Sequence, residues 1–180
     1  MAWPCACNPD SRMTLFPKSQ GDQNIGHYRI LRKLGEGGMG SVYEAENLSI
    51  ARRVAIKVLH PSCSNEPESL ARFYNEARAA NLIDHPSVVQ VLDYGRKEDG
   101  CAYFVMELLK GETLRSRIDR SQQTTEIAVD EVLRIGRQLA STLAAAHSCG
   151  IVHRDLKPDK VATERKRASN DPQRCEVLAN

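Results

Sequence analysis

Apolar and polar residues alternate along three short segments near the start of the chain, and this pattern predicts β-strands. The segments read YRILRKL, SVYEAE and RRVAIKVL, and a glycine cluster and a polar loop separate them. Two more strand-like segments, VVQVLDYG and CAYFVMELL, follow later and are joined by a turn-rich stretch. Because short apolar segments between turn-forming residues usually pair with their neighbours, we expect one antiparallel sheet of five strands.

A helix is predicted between the third and fourth strands, in the segment PESLARFYNEARAANLI. Its apolar residues recur at the three- and four-residue spacing of one helical face, and Glu76 lies on or beside that face. The residues of the face are Leu70, Phe73, Ala77 and Ala80.

Helical character returns at Leu114, and a long helix is predicted from Val129 to Ser148. The segment IVHRDLKPDKVAT after it is predicted to form a strand, a loop and a second strand. The fold class is therefore α+β, with a sheet and one helix first and a helical part second. The apolar stripe of the long helix comprises Val132, Leu133, Gly136, Leu139, Ala140, Leu143 and His147.

Both ends of the chain lack this periodicity. Residues 1–26 contain prolines and glycines among polar residues and are predicted to form a flexible leader, and residues 164–180 are predicted to form a polar tail. No stretch of about 20 apolar residues is present, so we expect no membrane span.

The amino-acid composition and the net charge argue against some classes of function. Of 180 residues, 41% are hydrophobic, which is enough for the core of one ordinary domain. The net charge of +2, from 25 basic and 23 acidic residues, argues against a nucleic-acid-binding or membrane-binding surface. Six cysteines are scattered without a CxxC pair, which fits the reducing cytoplasm.

The segment GEGGMG, residues 35–40, has the GxGxxG spacing that is typical of phosphate-binding loops. In a dinucleotide-binding fold a helix follows this motif, whereas here Ser41 begins an alternating strand. The glycines then form the tip of a hairpin, where backbone N–H groups can approach phosphate oxygens. The alternative interpretation is a flexible hairpin without a ligand.

Lys57 is the one charged residue in the apolar segment VAIK. A buried ammonium needs an anionic partner, and Glu76 on the following helix can supply one while phosphates supply another. The alternative for Lys57 alone is a side chain that points into solvent from an edge strand.

Together these motifs resemble the catalytic domain of eukaryotic-type Ser/Thr protein kinases, and bacterial members most of all. The resemblance covers about residues 28–160, and it implies a small lobe over 27–109 and a partial large lobe with the catalytic loop over 110–163, truncated after that loop. The matching segments are GEGGMGSV, VAIK, HPSVV, VMELLKGETL and IVHRDLKP, together with Glu76.

The resemblance implies ATP and Mg²⁺ as cofactors and a protein as substrate. Asp155 would accept the proton of a Ser or Thr hydroxyl, and Lys157 would lie near the transferred phosphoryl group. The adenine edge would meet backbone groups of Glu107 and Leu109. The full set of implied nucleotide contacts is Leu34, Gly35, Glu36, Gly37, Gly38, Met39, Gly40, Ser41, Val42, Ala55, Lys57, Glu76, Met106, Glu107 and Leu109.

Lys160 departs from the family pattern, since the family places there an asparagine that binds Mg²⁺. An ammonium has no lone pair to offer a metal and would repel it. The alternative is that Lys160 points into solvent. The DFG motif that carries the family's other metal ligand does not occur in the sequence, and the terminal CEVLAN aligns with the strand that precedes it.

We therefore expect a chain that holds ATP, has no protein ligands for Mg²⁺ and does not transfer phosphate by itself, even with asparagine restored at Lys160. Three interpretations remain: a Ser/Thr kinase, a kinase-like module that binds a nucleotide or partner, and a shortened or frameshifted gene product. A large lobe without its remaining helices would expose apolar surface and favour self-association.

Overall fold

A computed structural model of the chain describes residues 24–124, 127–164 and 175–177, and the residues between and outside these ranges are not discussed further. The first part, up to residue 107, contains six strands and two helices. These are β1 (Asn24–Ile25), β2 (Tyr28–Glu36), β3 (Gly40–Asn47), β4 (Arg52–Leu59), α1 (Pro61–Ser64), α2 (Pro67–Leu82), β5 (Val91–Arg96) and β6 (Ala102–Glu107).

The second part follows a short linking segment. It contains two long helices, a three-residue 3₁₀ turn and three short strands. These are β7 (Gly111–Thr113), α3 (Leu114–Thr124), α4 (Val129–Ser148), the 3₁₀ turn Pro158–Lys160, β8 (Val161–Glu164) and β9 (Cys175–Val177).

The six strands of the first part form one antiparallel sheet in the order β1-β2-β3-β4-β6-β5. The five predicted strands are all present, and β1 adds a sixth. Ile25 pairs with Tyr28 across a turn at Gly26, whose φ of +56° favours glycine, and the Ile25 side chain is buried. The predicted leader thus contributes its last residues to the sheet, while residues 1–23 lie outside the described residues.

Alternation along the strands divides the sheet's side chains between two apolar clusters. On β6, Tyr103 and Val105 join a cluster with residues of β2, β3 and β4. Ala102 and Phe104 face the opposite way and pack against Phe73 and other residues of α2. Helix α2 therefore packs on one face of the sheet, as the helical spacing predicts, and α1 is an additional single turn before it.

The catalytic-loop segment differs from the predicted strand, loop and strand. A strand forms only at β8, because the first residues of the segment complete the end of α4 instead. The backbone N–H of Ile151 donates to the carbonyl of Ala146 at 2.9 Å, and Gly150 between them adopts a φ of +72°. Because the N–H of Ile151 is bonded to the helix end, it is not available for pairing with a neighbouring strand.

The strands β7, β8 and β9 form a second, small antiparallel sheet. The strand predicted in CEVLAN is present as β9, whereas Ala179 and Asn180 lie outside the described residues. Val161 of β8 packs on Ile135 of α4, together with Leu114 and Leu139. The lobe boundaries drawn from the resemblance stay predictions.

Helix α4 buries a face beside the predicted stripe. The buried side chains are Ile135, Thr142 and Ala146, whereas Val132 and Leu133 of the stripe are 54% and 60% exposed. His85, in the loop between α2 and β5, holds this face in place, since its Nε2 lies 3.1 Å from the hydroxyl oxygen of Ser141. No helix in the described ranges combines the length and the apolar character that crossing a bilayer requires.

We predict that the purified 180-residue chain binds a hydrophobic dye through this exposed part of α4. Leu133→Gln should lower dye fluorescence and the fraction of self-associated protein measured by size-exclusion chromatography. Arg137→Gln, at an exposed polar position of the same helix, is the control and should change neither. Unaltered dye binding by Leu133→Gln would contradict the prediction.

Candidate functional site

A cleft of about 800 Å³ lies between the glycine hairpin, the sheet, residues 108–109 of the segment that links β6 to β7, and the loop 155–160. Every site residue predicted from the sequence lines it except Ser41. Ser41 is buried within the sheet, so its side chain does not face the cleft. The predicted residues in the lining are Leu34, Gly35, Glu36, Gly37, Gly38, Met39, Gly40, Val42, Ala55, Lys57, Glu76, Met106, Glu107, Leu109, Asp155 and Lys157.

The glycine hairpin connects β2 and β3 and covers one side of the cleft. A hydrogen bond from the N–H of Gly37 to the carbonyl of Gly40, 2.9 Å long, closes its tip. A Cβ on Gly40 would lie 2.2 Å from the carbonyl oxygen of Val58, so this position requires glycine. Around Gly35 and Gly38 no atom lies within 4 Å of such a Cβ, which leaves the hairpin backbone accessible.

Lys57 and Glu76 form an ion pair at the inner end of the cleft. The ammonium lies 2.5 and 2.8 Å from the two carboxylate oxygens, and the two side chains are only 17% and 5% exposed. Strand β4 directs Lys57 into the cleft, and the buried face of α2 directs Glu76 toward it. The rings of Phe73 and Phe104 lie 5.9 and 5.6 Å from the ammonium. The predicted pairing is therefore present, and it leaves the ammonium's third proton for another acceptor.

The outer part of the cleft is apolar and suits a flat heterocycle. Leu34, Val42, Ala55 and Met106 are among the apolar side chains that line it. Sequence reasoning missed several other lining residues, because most of them are small or apolar side chains with no distinctive chemistry. These are Ala80, Val89, Val91, Phe104, Leu108, Gly111, Thr113 and Ala162.

The segment that links β6 to β7 forms the edge of this apolar region. Glu107, the last residue of β6 before this segment, is fixed by two hydrogen bonds to Gln90, one through its backbone N–H (3.1 Å) and one through its carboxylate (2.8 Å). Within the described ranges, the backbone of Leu109 makes no hydrogen bond. Its N–H and carbonyl can therefore serve a ligand that has its own donor and acceptor edge.

Asp155 and Lys157 face the cleft from the catalytic loop, with 3.0 Å between the carboxylate and the ammonium. Arg154 before them has a φ of +61°, a rare conformation for a residue with a side chain, and it turns the loop so that Asp155 faces the cleft. The hydrogen bond from Lys157 and the charges of Lys157, Lys160 and His153 hold the pKa of Asp155 below its ordinary value. Its carboxylate is therefore ionised at neutral pH and can accept a hydrogen bond from a hydroxyl.

Lys160 also lines the cleft and is half-buried there, contrary to the alternative of a side chain in solvent. Burial lowers its pKa, the ammoniums of Lys57 and Lys157 lower it further, and the carboxylates of Glu76 and Asp155 oppose this. Lys160 thus shares the cleft lining with Lys57, Glu76, Asp155 and Lys157.

Mg²⁺ does not fit the groups that the structure describes at the inner end of the cleft. The ion requires oxygen ligands, whereas Lys160 presents an ammonium where an asparagine oxygen would be needed. Among residues 24–124 and 127–164, no three His, Cys, Asp or Glu side chains lie together as a metal site.

Two further carboxylates in the lining were missed, and each has a basic partner outside the lining. Asp159 lies 3.7 Å from Arg115, and Glu112 binds Arg120 through two hydrogen bonds of 2.7 and 2.6 Å. Helical spacing alone does not reveal these pairs, since the partners come from different elements.

Comparisons with known proteins agree with this geometry. The family model described as protein kinase domain matches residues 28–168. The serine/threonine-protein kinase pkn3 of Myxococcus xanthus is 39% identical over 151 residues, which are 84% of this chain and 27% of that protein. PrkC of Bacillus subtilis, another serine/threonine-protein kinase, is 41% identical over 141 residues, or 78% of this chain and 21% of that protein.

Solved structures show the same similarity. The crystal structure of the Mycobacterium tuberculosis PknI kinase domain superposes with a TM-score of 0.68 at 28% identity, over 88% of this chain and 63% of that chain. The present chain spans about a fifth to a quarter of the length of the two curated relatives.

We predict that substitutions of Lys57 and Glu76 have coupled effects on the free energy of unfolding. Lys57→Met or Glu76→Leu alone should each cost about 3 kcal/mol of unfolding free energy, because each leaves an uncompensated buried charge. The double variant should cost less than either single variant. Urea denaturation measures all three.

The exposed pair Arg72 and Glu68 is the matched control. The same substitutions there, Arg72→Met and Glu68→Leu, should have small and additive effects. Additive losses at Lys57 and Glu76 would contradict the predicted coupling.

Proposed function

This chain belongs to the protein kinase domain family, and on that premise we propose that its cleft binds ATP. Members of the family use ATP with Mg²⁺ and act on protein substrates. One observation carries the proposal: the Lys57–Glu76 ion pair lies at the inner end of a cleft covered by the glycine hairpin. An ammonium held beside accessible backbone amides is an arrangement that attracts phosphate oxygens.

Each part of ATP finds a suitable surface. The adenine ring would lie between the apolar walls of Leu34, Val42 and Ala55, with its polar edge toward the backbone of Leu109. The phosphates would lie beneath the hairpin, within reach of Lys57. The apolar walls would supply affinity, and the few polar groups would fix the orientation of the nucleotide.

The charges at the inner end then decide whether bound ATP can react. Asp155 is ionised and would orient a Ser or Thr hydroxyl, while Lys157 would neutralise charge on the transferred phosphoryl group. Lys160, however, occupies the place of a metal ligand with an ammonium. A lysine supplies a point charge on a flexible stem and does not clamp two phosphate oxygens in a fixed geometry. We therefore propose that this polypeptide binds ATP without transferring phosphate by itself.

A second function is Ser/Thr phosphorylation of proteins by the complete protein. The orientation of Asp155 and Lys157 into the cleft favours it, and the names of the relatives suggest the acceptor. We propose the cytoplasm as the location, because ATP is available there.

We predict that Leu34→Glu weakens ATP binding by about tenfold or more, because it removes an apolar wall and places a carboxylate near a polyanion. Leu31→Glu is the matched control: both leucines lie on β2 with 40% and 37% exposure, and only Leu34 lines the cleft. Titration with a fluorescent ATP analogue, displaced by ATP, measures both. Equal affinities of the two variants would count against the proposed adenine position.

We also predict no phosphoryl transfer above background by the 180-residue chain. Transfer of labelled γ-phosphate to a basic protein substrate measures it, with an active protein kinase as positive control. Asp155→Ala should match the unaltered chain, because the inner end lacks the rigid phosphate alignment that transfer needs. Incorporation that disappears in Asp155→Ala would instead establish catalysis by this chain.

A further inference from the structure

Lys160 is the feature that ATP binding alone does not explain. It ends the 3₁₀ turn Pro158–Lys160, and its half-buried side chain lines the cleft beside Lys57, Glu76 and Asp155. Taking an ammonium out of water is costly unless negative charge compensates it. The position of Lys160 therefore calls for an anionic partner.

The nearby carboxylates already have other partners. Both oxygens of Glu76 accept hydrogen bonds from Lys57, and Asp155 pairs with Lys157 at 3.0 Å. Within the part of the chain that the structure describes, Lys160 forms no ion pair within 4.0 Å. Because no described residue pairs with Lys160 at close range, a ligand in the cleft can supply the negative charge.

The balance of charge at this end is positive. Lys57, Lys157 and Lys160 bring three ammonium groups, against the carboxylates of Glu76 and Asp155, and the third nearby carboxylate, Asp159, is already paired with Arg115 at 3.7 Å. A divalent cation here would be repelled by Lys160, whereas a triphosphate without metal carries the charge that this end lacks. Such a triphosphate would also give Lys160 charge-assisted hydrogen bonds.

We propose that Lys160 takes the place of a divalent cation, so that the cleft binds a nucleoside triphosphate free of metal in preference to its Mg²⁺ complex. This inference rests on the nucleotide binding proposed above, and it adds the ionic form of the ligand. The ligand class is a polyphosphate nucleotide whose phosphates contact Lys57 and Lys160 directly.

The test is isothermal titration calorimetry with ATP, in excess EDTA and in excess MgCl₂ at equal ionic strength. The unaltered chain should bind more tightly in EDTA, by about tenfold if one charge-assisted hydrogen bond is gained. Lys160→Asn should lose this advantage, because it removes the ammonium and supplies an oxygen that a cation accepts. Lys160→Arg keeps the charge and should keep the preference for metal-free ATP.

Lys110→Asn removes the same charge from an exposed position outside the lining, and it should bind like the unaltered chain. Thermal melting of each variant establishes that it is folded. Equal or tighter binding of the Mg²⁺ complex by the unaltered chain overturns the inference and leaves ATP binding standing. An unchanged EDTA preference in Lys160→Asn overturns it as well. Binding in neither solution overturns both proposals.

Discussion

The cleft depends on one buried ion pair, which joins strand β4 to helix α2 through Lys57 and Glu76. Each of these largely buried charges needs the other, so the pair stabilises the position of the helix against the sheet, and removing one charge alone is costly. The aromatic rings of Phe73 and Phe104 pack beside the pair and come from the same two layers. Packing and charge pairing therefore favour one and the same arrangement, which holds the Lys57 ammonium in the cleft.

Much of this arrangement can be predicted from the sequence, because the residues that determine it recur at the spacing of a strand or a helix. Alternation in RRVAIKVL fixes which face of β4 carries Lys57, and the helical spacing around Phe73 places Glu76 beside the apolar face. The family resemblance then adds the expected site residues, nearly all of which line one cleft. The strand β1 escapes this reasoning, since two residues are too few to show alternation. The resemblance also assigns Ser41 to the ligand, although its side chain is buried in the sheet.

The remaining differences between the prediction and the structure arise where contacts between distant elements determine which side chains are buried. The apolar residues of α4 predict a stripe through Val132 and Leu133, yet the helix buries Thr142, whose hydroxyl donates to the carbonyl of Gln138 at 2.8 Å. A polar side chain that finds its hydrogen-bond partner within its own helix can be buried, and a hydrophobic pattern does not register it. The direction of the Lys160 side chain cannot be predicted from the sequence either, because the side chain has four rotatable bonds. In the structure it lines the cleft.

Nucleotide binding and phosphoryl transfer place different demands on the inner end of the cleft. Binding requires positive charge and N–H donors, and the lysines and the glycine hairpin provide both. Transfer also requires the γ-phosphate to be aligned with a hydroxyl held by Asp155, which an octahedral cation achieves by holding several oxygens at once. A lysine reaches one oxygen at a time from a mobile stem, so it can replace the charge of a cation without replacing its geometry. Lys160 can therefore add positive charge to the cleft without supplying the alignment that transfer requires.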